Sequence, residues 1–181
     1  MKYLTSNEFS SFYEFVKWRH DYYCNQKYGG DLPYSFHLDA VFAQGEKFKH
    51  LINPSDYTNV VTHALYAHDL IEDARMTYND IIKACDKYNI RRAEVVADIV
   101  YCVTDEKGKN RRDRKNDKYY KDLLKNKYAV FVKLADIAAN TLFSKLTGSS
   151  MYGMYKKEFL NVKRKLYIDK YKEFFDYIEN M

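Results

Sequence analysis

Residues 60–73 read VVTHALYAHDLIED, and this stretch decides the fold. Val60, Val61, Ala64, Leu65, Ala67, Leu70 and Ile71 recur at the spacing of a buried helix. Into that apolar run fall His68, Asp69, Glu72 and Asp73. Positions three and four apart share a helical face, so Asp69, Glu72 and Asp73 present one polar group with His68 beside them. Burying several carboxylates is costly unless a cation compensates. A divalent metal would do so, and imidazole plus carboxylate without thiolate suits manganese, iron or zinc better than calcium.

Outward from this helix the chain keeps reading as helix. Asn53-Pro54-Ser55 opens it, and Thr77-Tyr-Asn-Asp80 is a capping box that starts the next, to about Tyr88. Thr5-Ser-Asn-Glu8 is another box, expected to open an aromatic helix toward Tyr23. Gln26 to Leu32, with Gly29-Gly30, reads as a loop, and Pro33 as the start of a helix over 34–48. Arg91 to Cys102 has apolar residues at helical spacing, and 107–116 is polar and loop-like. Residues 128–145 form an apolar central helix that Gly148-Ser-Ser150 ends, and an amphipathic helical stretch runs on to Met181. The expectation is all-α, a single-domain helical bundle over 1–181 with a C-terminal helical extension from 150.

Two further residues suit the same site. His37 begins an apolar stretch, and Asp136 interrupts the apolar run from Val130 to Ala139, with Asn140 one turn later. His37, His68, Asp69 and Asp136 would make a two-His, two-Asp metal site drawn from three helices. Taken singly each has a plainer reading: a helix-start histidine, a buried ion pair, an aspartate accepting from a nearby cation. His20-Asp21 has no acid pair after it and reads as a chance surface pair. His63 lies about 140° around the helix from His68 and reads as structural; His50 reads as surface.

Composition sets the outer limits. The 181 residues carry 30 Lys+Arg against 25 Asp+Glu, a net charge of +5, with 17% aromatic residues. Six Gly and two Pro are too few for a β-sandwich with many tight turns, and so aromatic a chain is not disordered. The start, MKYLTSNEFS, lacks the apolar core of a secretory leader, and no stretch approaches the ~20 apolar residues of a membrane span. Cys24, Cys85 and Cys102 form neither a CxxC nor an even set, so no disulfide framework or thiolate zinc site is expected. A protein of the reducing cytoplasm is the reading. Its Lys, Tyr and Asn bias suits an AT-rich genome, of a bacterium or a phage acting in its host.

The order H, HD, D resembles that of the HD-domain metal phosphohydrolases. The local sequence is similar to the RelA/SpoT hydrolase branch, which includes small alarmone hydrolases. Gln26-Lys27 and Pro33-Tyr34-Ser-Phe-His37 match its first motif. Leu65-Tyr-Ala-His68-Asp69-Leu-Ile-Glu72-Asp73 matches the second. Val103-Thr104-Asp105 followed by basic residues matches the third, and Lys133-Leu134-Ala135-Asp136-Ile-Ala-Ala-Asn140 the fourth. The chain departs from the branch at Tyr28, at Ala74 and in the Ile-Ala-Ala after Asp136. The match spans about 20–145, and no synthetase motifs are present.

The resemblance implies one divalent ion, manganese by family with iron or zinc as alternatives, held by His37, His68, Asp69 and Asp136. It implies Glu72 and Asp73 as the pair that orients a water or takes its proton. It implies release of the 3′-pyrophosphate of ppGpp or a relative such as ppApp. Asn140 would help hold the nucleotide sugar, Lys27 would lie near the base or its phosphates, and Lys107, Arg111 and Arg114 would contact the pyrophosphate. Between 105 and 127 there are ten basic and five acidic residues, a surplus equal to the whole chain's net charge. That favours a small polyphosphate beside a metal over a nucleic-acid surface. The competing readings are a dNTP or nucleotide phosphohydrolase on the same scaffold, and a non-catalytic basic module that binds nucleic acid. A homo-oligomer is compatible with this reading.

Overall fold

The computed structural model describes residues 9–105 and 111–181, with the side chains of 111 and 112 outside that description. The Thr5–Glu8 box therefore lies outside the described residues. The first described helix, α1 (Phe12–Trp18), takes its cap from Ser11 and runs on as a π-helical turn, Arg19–Tyr23.

Two strands of two residues each follow, β1 (Lys27–Tyr28) and β2 (Leu32–Pro33). They pair antiparallel with Lys27 opposite Pro33 and Tyr28 opposite Leu32. This hairpin corrects the expected loop and is the one departure from all-α among the described residues. Gly29 and Gly30 at φ 57° and 104° supply the turn. Gly29 also has no room for a side chain, because a Cβ there would stand 2.5 Å from Cζ of Phe143. Gly29→Ala is expected to cost about 1–2 kcal/mol from the left-handed backbone alone. A melting curve checks this, and an unchanged melting temperature would count against the close approach.

Pro33 belongs to β2, and α2 (Ser35–Lys47) starts two residues later. The Ser35 amide donates to Asp21 Oδ1 at 2.9 Å, so Asp21 satisfies an amide at that helix start. A helical rod follows: α3 (Pro54–Asp56) with Asn53 as its cap, a π-helical turn (Tyr57–Val61) and α4 (Thr62–Ala67). The expectation of helix to Asp73 fails by about six residues. The Leu65 carbonyl, next in line for an amide of a continuing helix, accepts from His68 Nδ1 at 2.9 Å. Successive turns then carry residues 68–73, ending at Arg75 with φ 55°. The His-Asp pair and its acids thus sit on a turn, free of strict helical spacing.

α5 (Tyr78–Lys87) opens on the full Thr77–Asp80 capping box. α6 (Ala93–Val103), the short α7 (Arg111–Arg114) and α8 (Asp117–Leu124) lead to α9 (Lys127–Leu146). α9 is the axis of the core: Val130, Phe131, Leu134, Ala135 and Ala138 are fully buried. α2, α6, α8 and α10 (Met151–Leu166) pack on it, as does α11 (Lys172–Glu179). The last two helices bury Phe159, Leu166, Phe174, Phe175 and Ile178. No helix among the described residues is long and apolar enough to cross a membrane.

Candidate metal centre

Two helices and a turn deliver the candidate ligands to one point. His37 comes from the first turn of α2, His68 and Asp69 from the turn that follows α4, and Asp136 from the middle of α9. His37 Nε2 lies 3.3 Å from His68 Nε2, 3.7 Å from Asp69 Oδ2 and 3.5 Å from Asp136 Oδ1. His68 Nε2 lies 2.9 Å from Asp69 Oδ2. Metal–ligand bonds of ~2.1 Å place neighbouring ligand atoms ~3.0–3.4 Å apart, so these separations suit a single ion. His37, His68 and Asp136 form a group able to hold a metal ion.

Protonation supports the same fit. His68 Nδ1 gives its proton to the Leu65 carbonyl, which leaves Nε2 bare in the neutral ring. A bare nitrogen 2.9 Å from a carboxylate oxygen is repulsive unless a cation stands between them. Burial opposes a second proton on His68, but Asp69 outweighs it, and the pKa is pushed up to about 9. A divalent ion would take the place of that second proton and supply the same positive charge between the two groups. Asp136 behaves likewise: burial would raise its pKa, yet Lys133 and the two histidines hold it down at about 2.

The surrounding residues fix the donors. Lys133, one turn before Asp136 and buried, donates to Asp136 Oδ2 at 2.9 Å. Asn140, one turn after, donates to Asp136 Oδ1 at 2.5 Å and accepts from the Tyr28 hydroxyl at 3.0 Å. The Tyr34 hydroxyl donates to Asp69 Oδ2 and lies 3.2 Å from Asp73 Oδ2. Glu72 and Asp73 line the same cavity, of about 210 Å³, together with Asp105, Lys115 and Tyr155. Burial and neighbouring carboxylates raise the pKa of both Glu72 and Asp73. Arg114 donates to Glu72 Oε1 at 2.9 Å, and Lys115 pairs with Glu158.

No family model matches this sequence, and no curated protein matches it. Among solved structures the chain is similar to a metazoan orthologue of SpoT, described as hydrolysing ppGpp and playing a role in starvation responses. The likeness covers 99% of this chain and 97% of that one, at 19% identity and a TM-score of 0.63. The chain has that protein's fold.

Of the residues singled out from the sequence, His37, His68, Asp69, Asp136, Glu72, Asp73 and Asn140 meet around one cavity. Arg114 reaches it through Glu72. Lys27 stands exposed on β1, and its neighbour Tyr28 lines the cavity in its place. Lys107 lies outside the described residues, and Arg111 opens α7 with its side chain outside them.

The supporting residues take no role from the sequence, although Tyr34 and Lys133 stand inside the matched motifs and Tyr28 marks a departure. Lys133 was legible in principle, since a lysine inside an apolar helix is as anomalous as Asp136. Tyr155 carried no such signal among 19 tyrosines. His20-Asp21 reverses its reading: His20 is fully buried and Asp21 caps α2, so neither is a chance surface residue. His63, packed beside Phe12 and Tyr13, is structural as expected, and His50 is exposed.

Proposed function

We propose that this chain is a metal-dependent pyrophosphohydrolase that removes the 3′-pyrophosphate of ppGpp or its adenine counterpart. One observation carries the reading. Four ligand atoms converge with a carboxylate pair beside them, on the fold of a protein described as hydrolysing ppGpp. His37, His68, Asp69 and Asp136 would hold the ion, manganese in first place. When bound, the ion supplies concentrated positive charge that acidifies water and offsets charge on phosphoryl oxygens.

The chain's own residues do the rest. Glu72 and Asp73 orient the attacking water and take its proton. The new P–O bond forms as the bond to the 3′ oxygen breaks, giving a 3′-hydroxyl and intact pyrophosphate. Asn140 steadies Asp136 and, with Tyr28, forms the wall on which the sugar rests. Arg114 and Lys115 supply positive charge toward the pyrophosphate, as Lys107 and Arg111 do on the adjoining segment. The enzyme would act in the cytoplasm on a small nucleotide, with no role for membrane or nucleic acid.

A substrate panel tests this reading. Wild type with Mn²⁺ should turn over ppGpp or ppApp and leave dNTPs intact, and Asp69→Ala should turn over none. Turnover of dNTPs alone would favour the general nucleotide phosphohydrolase. Salt-sensitive RNA or DNA binding that survives His68→Ala, without hydrolysis, would favour the binding module.

Acid should also act in a defined direction. In the metal-free protein, burial and neighbouring carboxylates mean that Glu72 and Asp73 take up protons above the ordinary carboxylate range. Carboxyl-carbon NMR of the protein in EDTA checks it; titration of both groups at or below the range of a free carboxylate would contradict it.

A further inference from the structure

A groove between α1 and α5 lies apart from the candidate metal centre. It encloses about 380 Å³ and shares no lining residue with the metal-centre cavity. That volume falls within the range of small-molecule sites, about 300–1,000 Å³. Its floor is aromatic. Trp18, Phe15 and Tyr88 line it in an arc. Phe15 stands 6.4 Å from Trp18 and 6.1 Å from Tyr88 between ring centroids, with planes 31° and 33° from parallel.

The rim is cationic. Lys83 and Lys87 stand four apart on α5 and so share a face. Both are exposed, and neither has a hydrogen-bond or ion-pair partner among the described residues. Arg19 is the third cation, and it is held in place. Its guanidinium carbon lies 3.8 Å from the centre of the Tyr23 ring. Its Nε donates to the Ala74 carbonyl at 3.0 Å and its Nη2 to the Arg75 carbonyl at 3.3 Å. Its Nη1 donates to nothing among the described residues and is open to an acceptor. Asp80 is the one acid among the lining residues, and its Oδ2 is taken by the Thr77 amide and hydroxyl. Three cations against one acid leave a surplus of two positive charges.

The two halves of the groove ask for different things of one ligand. Aromatic side chains take a flat ring, while Lys and Arg take phosphate oxygens. An inorganic anion would leave the floor uncovered, and an uncharged ring would leave the rim unpaired. We propose that this groove is a second binding site, for a nucleoside monophosphate, with the base on the arc of Trp18, Phe15 and Tyr88 and the phosphate against Lys83, Lys87 and Arg19. The site does not depend on the hydrolase reading, since none of its residues belongs to the metal centre.

Trp18 is the only tryptophan in the chain, so its emission reports on this groove. Wild-type protein in EDTA, titrated with GMP, should show a saturable quench. Guanosine and ribose 5-phosphate, which each offer half of the ligand, should bind at least about tenfold more weakly, because each forgoes one set of contacts. Lys83→Glu combined with Lys87→Glu should also weaken GMP binding at least about tenfold. Both lysines are exposed, so this variant should melt as wild type does. Asp69→Ala should leave the quench unchanged.

Absence of a saturable quench would overturn the proposal. So would a quench that survives the lysine double variant or one that ribose 5-phosphate matches. Loss of the quench in Asp69→Ala would put the nucleotide at the metal centre instead. Emission that follows protein concentration and ignores GMP would seat a second copy of the chain in the groove, and would equally overturn it.

Discussion

His68→Ala should abolish high-affinity Mn²⁺ binding and hydrolysis together. Outer residues that merely orient a metal ligand cost ten- to a hundredfold in affinity when removed, and His68 offers its own nitrogen. It is also the ring that three neighbours define: Leu65 fixes its tautomer, Asp69 faces its free nitrogen, and His37 stands 3.3 Å away. Affinity should therefore fall by at least about a hundredfold. Thermal stability reads the same event. An ion at a hundred times its Kd adds about 2.7 kcal/mol. In a chain of this length that raises the melting temperature by about 5–10 °C. Wild type should show this rise and His68→Ala no more than about 2 °C at the same Mn²⁺ concentration. Calorimetry and a melting curve check both. Equal rises in the two proteins would place the metal elsewhere.

Lys133→Met should be the most damaging change to stability in the metal-free protein. Lys133 is buried, and its charge is opposed by burial but held by Asp136, Tyr119, Asp105 and Glu158. Methionine has nearly the same length, so the loss is one of charge more than of packing. Removing one partner of a buried pair typically costs about 3–5 kcal/mol, because the other charge is left uncompensated. The melting temperature in EDTA should then drop by about 6–20 °C. Two further arms separate charge from packing. Mn²⁺ should restore more stability to Lys133→Met than it adds to wild type, since the ion neutralises Asp136. Lys133→Met combined with Asp136→Leu should recover much of the loss, as apolar replacements of buried ion pairs do. A Lys133→Met protein as stable as wild type in EDTA would contradict the buried-pair account.

What the sequence discloses is anomaly against a regular background. Asp136 stood out because every neighbour from Val130 to Ala139 except Lys133 is apolar, and its side chain, 15% exposed, points into the cavity with His37 and Lys133 beside it. The Thr77–Asp80 box and the Asn53-Pro54 start were legible because capping is local chemistry, settled within four residues. Features that depend on distant partners were not legible. His20 is buried because Tyr34 and Gln26 close over it, and its six-residue reach to Gln26 includes a π-helical turn that no hydrophobic period marks. The helix through His68 ends early because a side chain, not a breaker residue, takes the carbonyl of Leu65. The hairpin at 27–33 rests on a close approach between Gly29 and Phe143, more than a hundred residues apart. Charge was misleading in detail as well. The basic surplus after Asp105 pointed to phosphate, yet Arg114 and Lys115 are already paired with Glu72 and Glu158. An incoming pyrophosphate would have to compete for them.

The most direct test of the whole account is the identity of the phosphorus product. Wild-type protein with Mn²⁺ and ppGpp, followed by phosphorus NMR, should yield inorganic pyrophosphate and GDP in equal amounts. EDTA should stop the reaction. Release of orthophosphate, or cleavage at the 5′ side with the 3′-pyrophosphate intact, would contradict it.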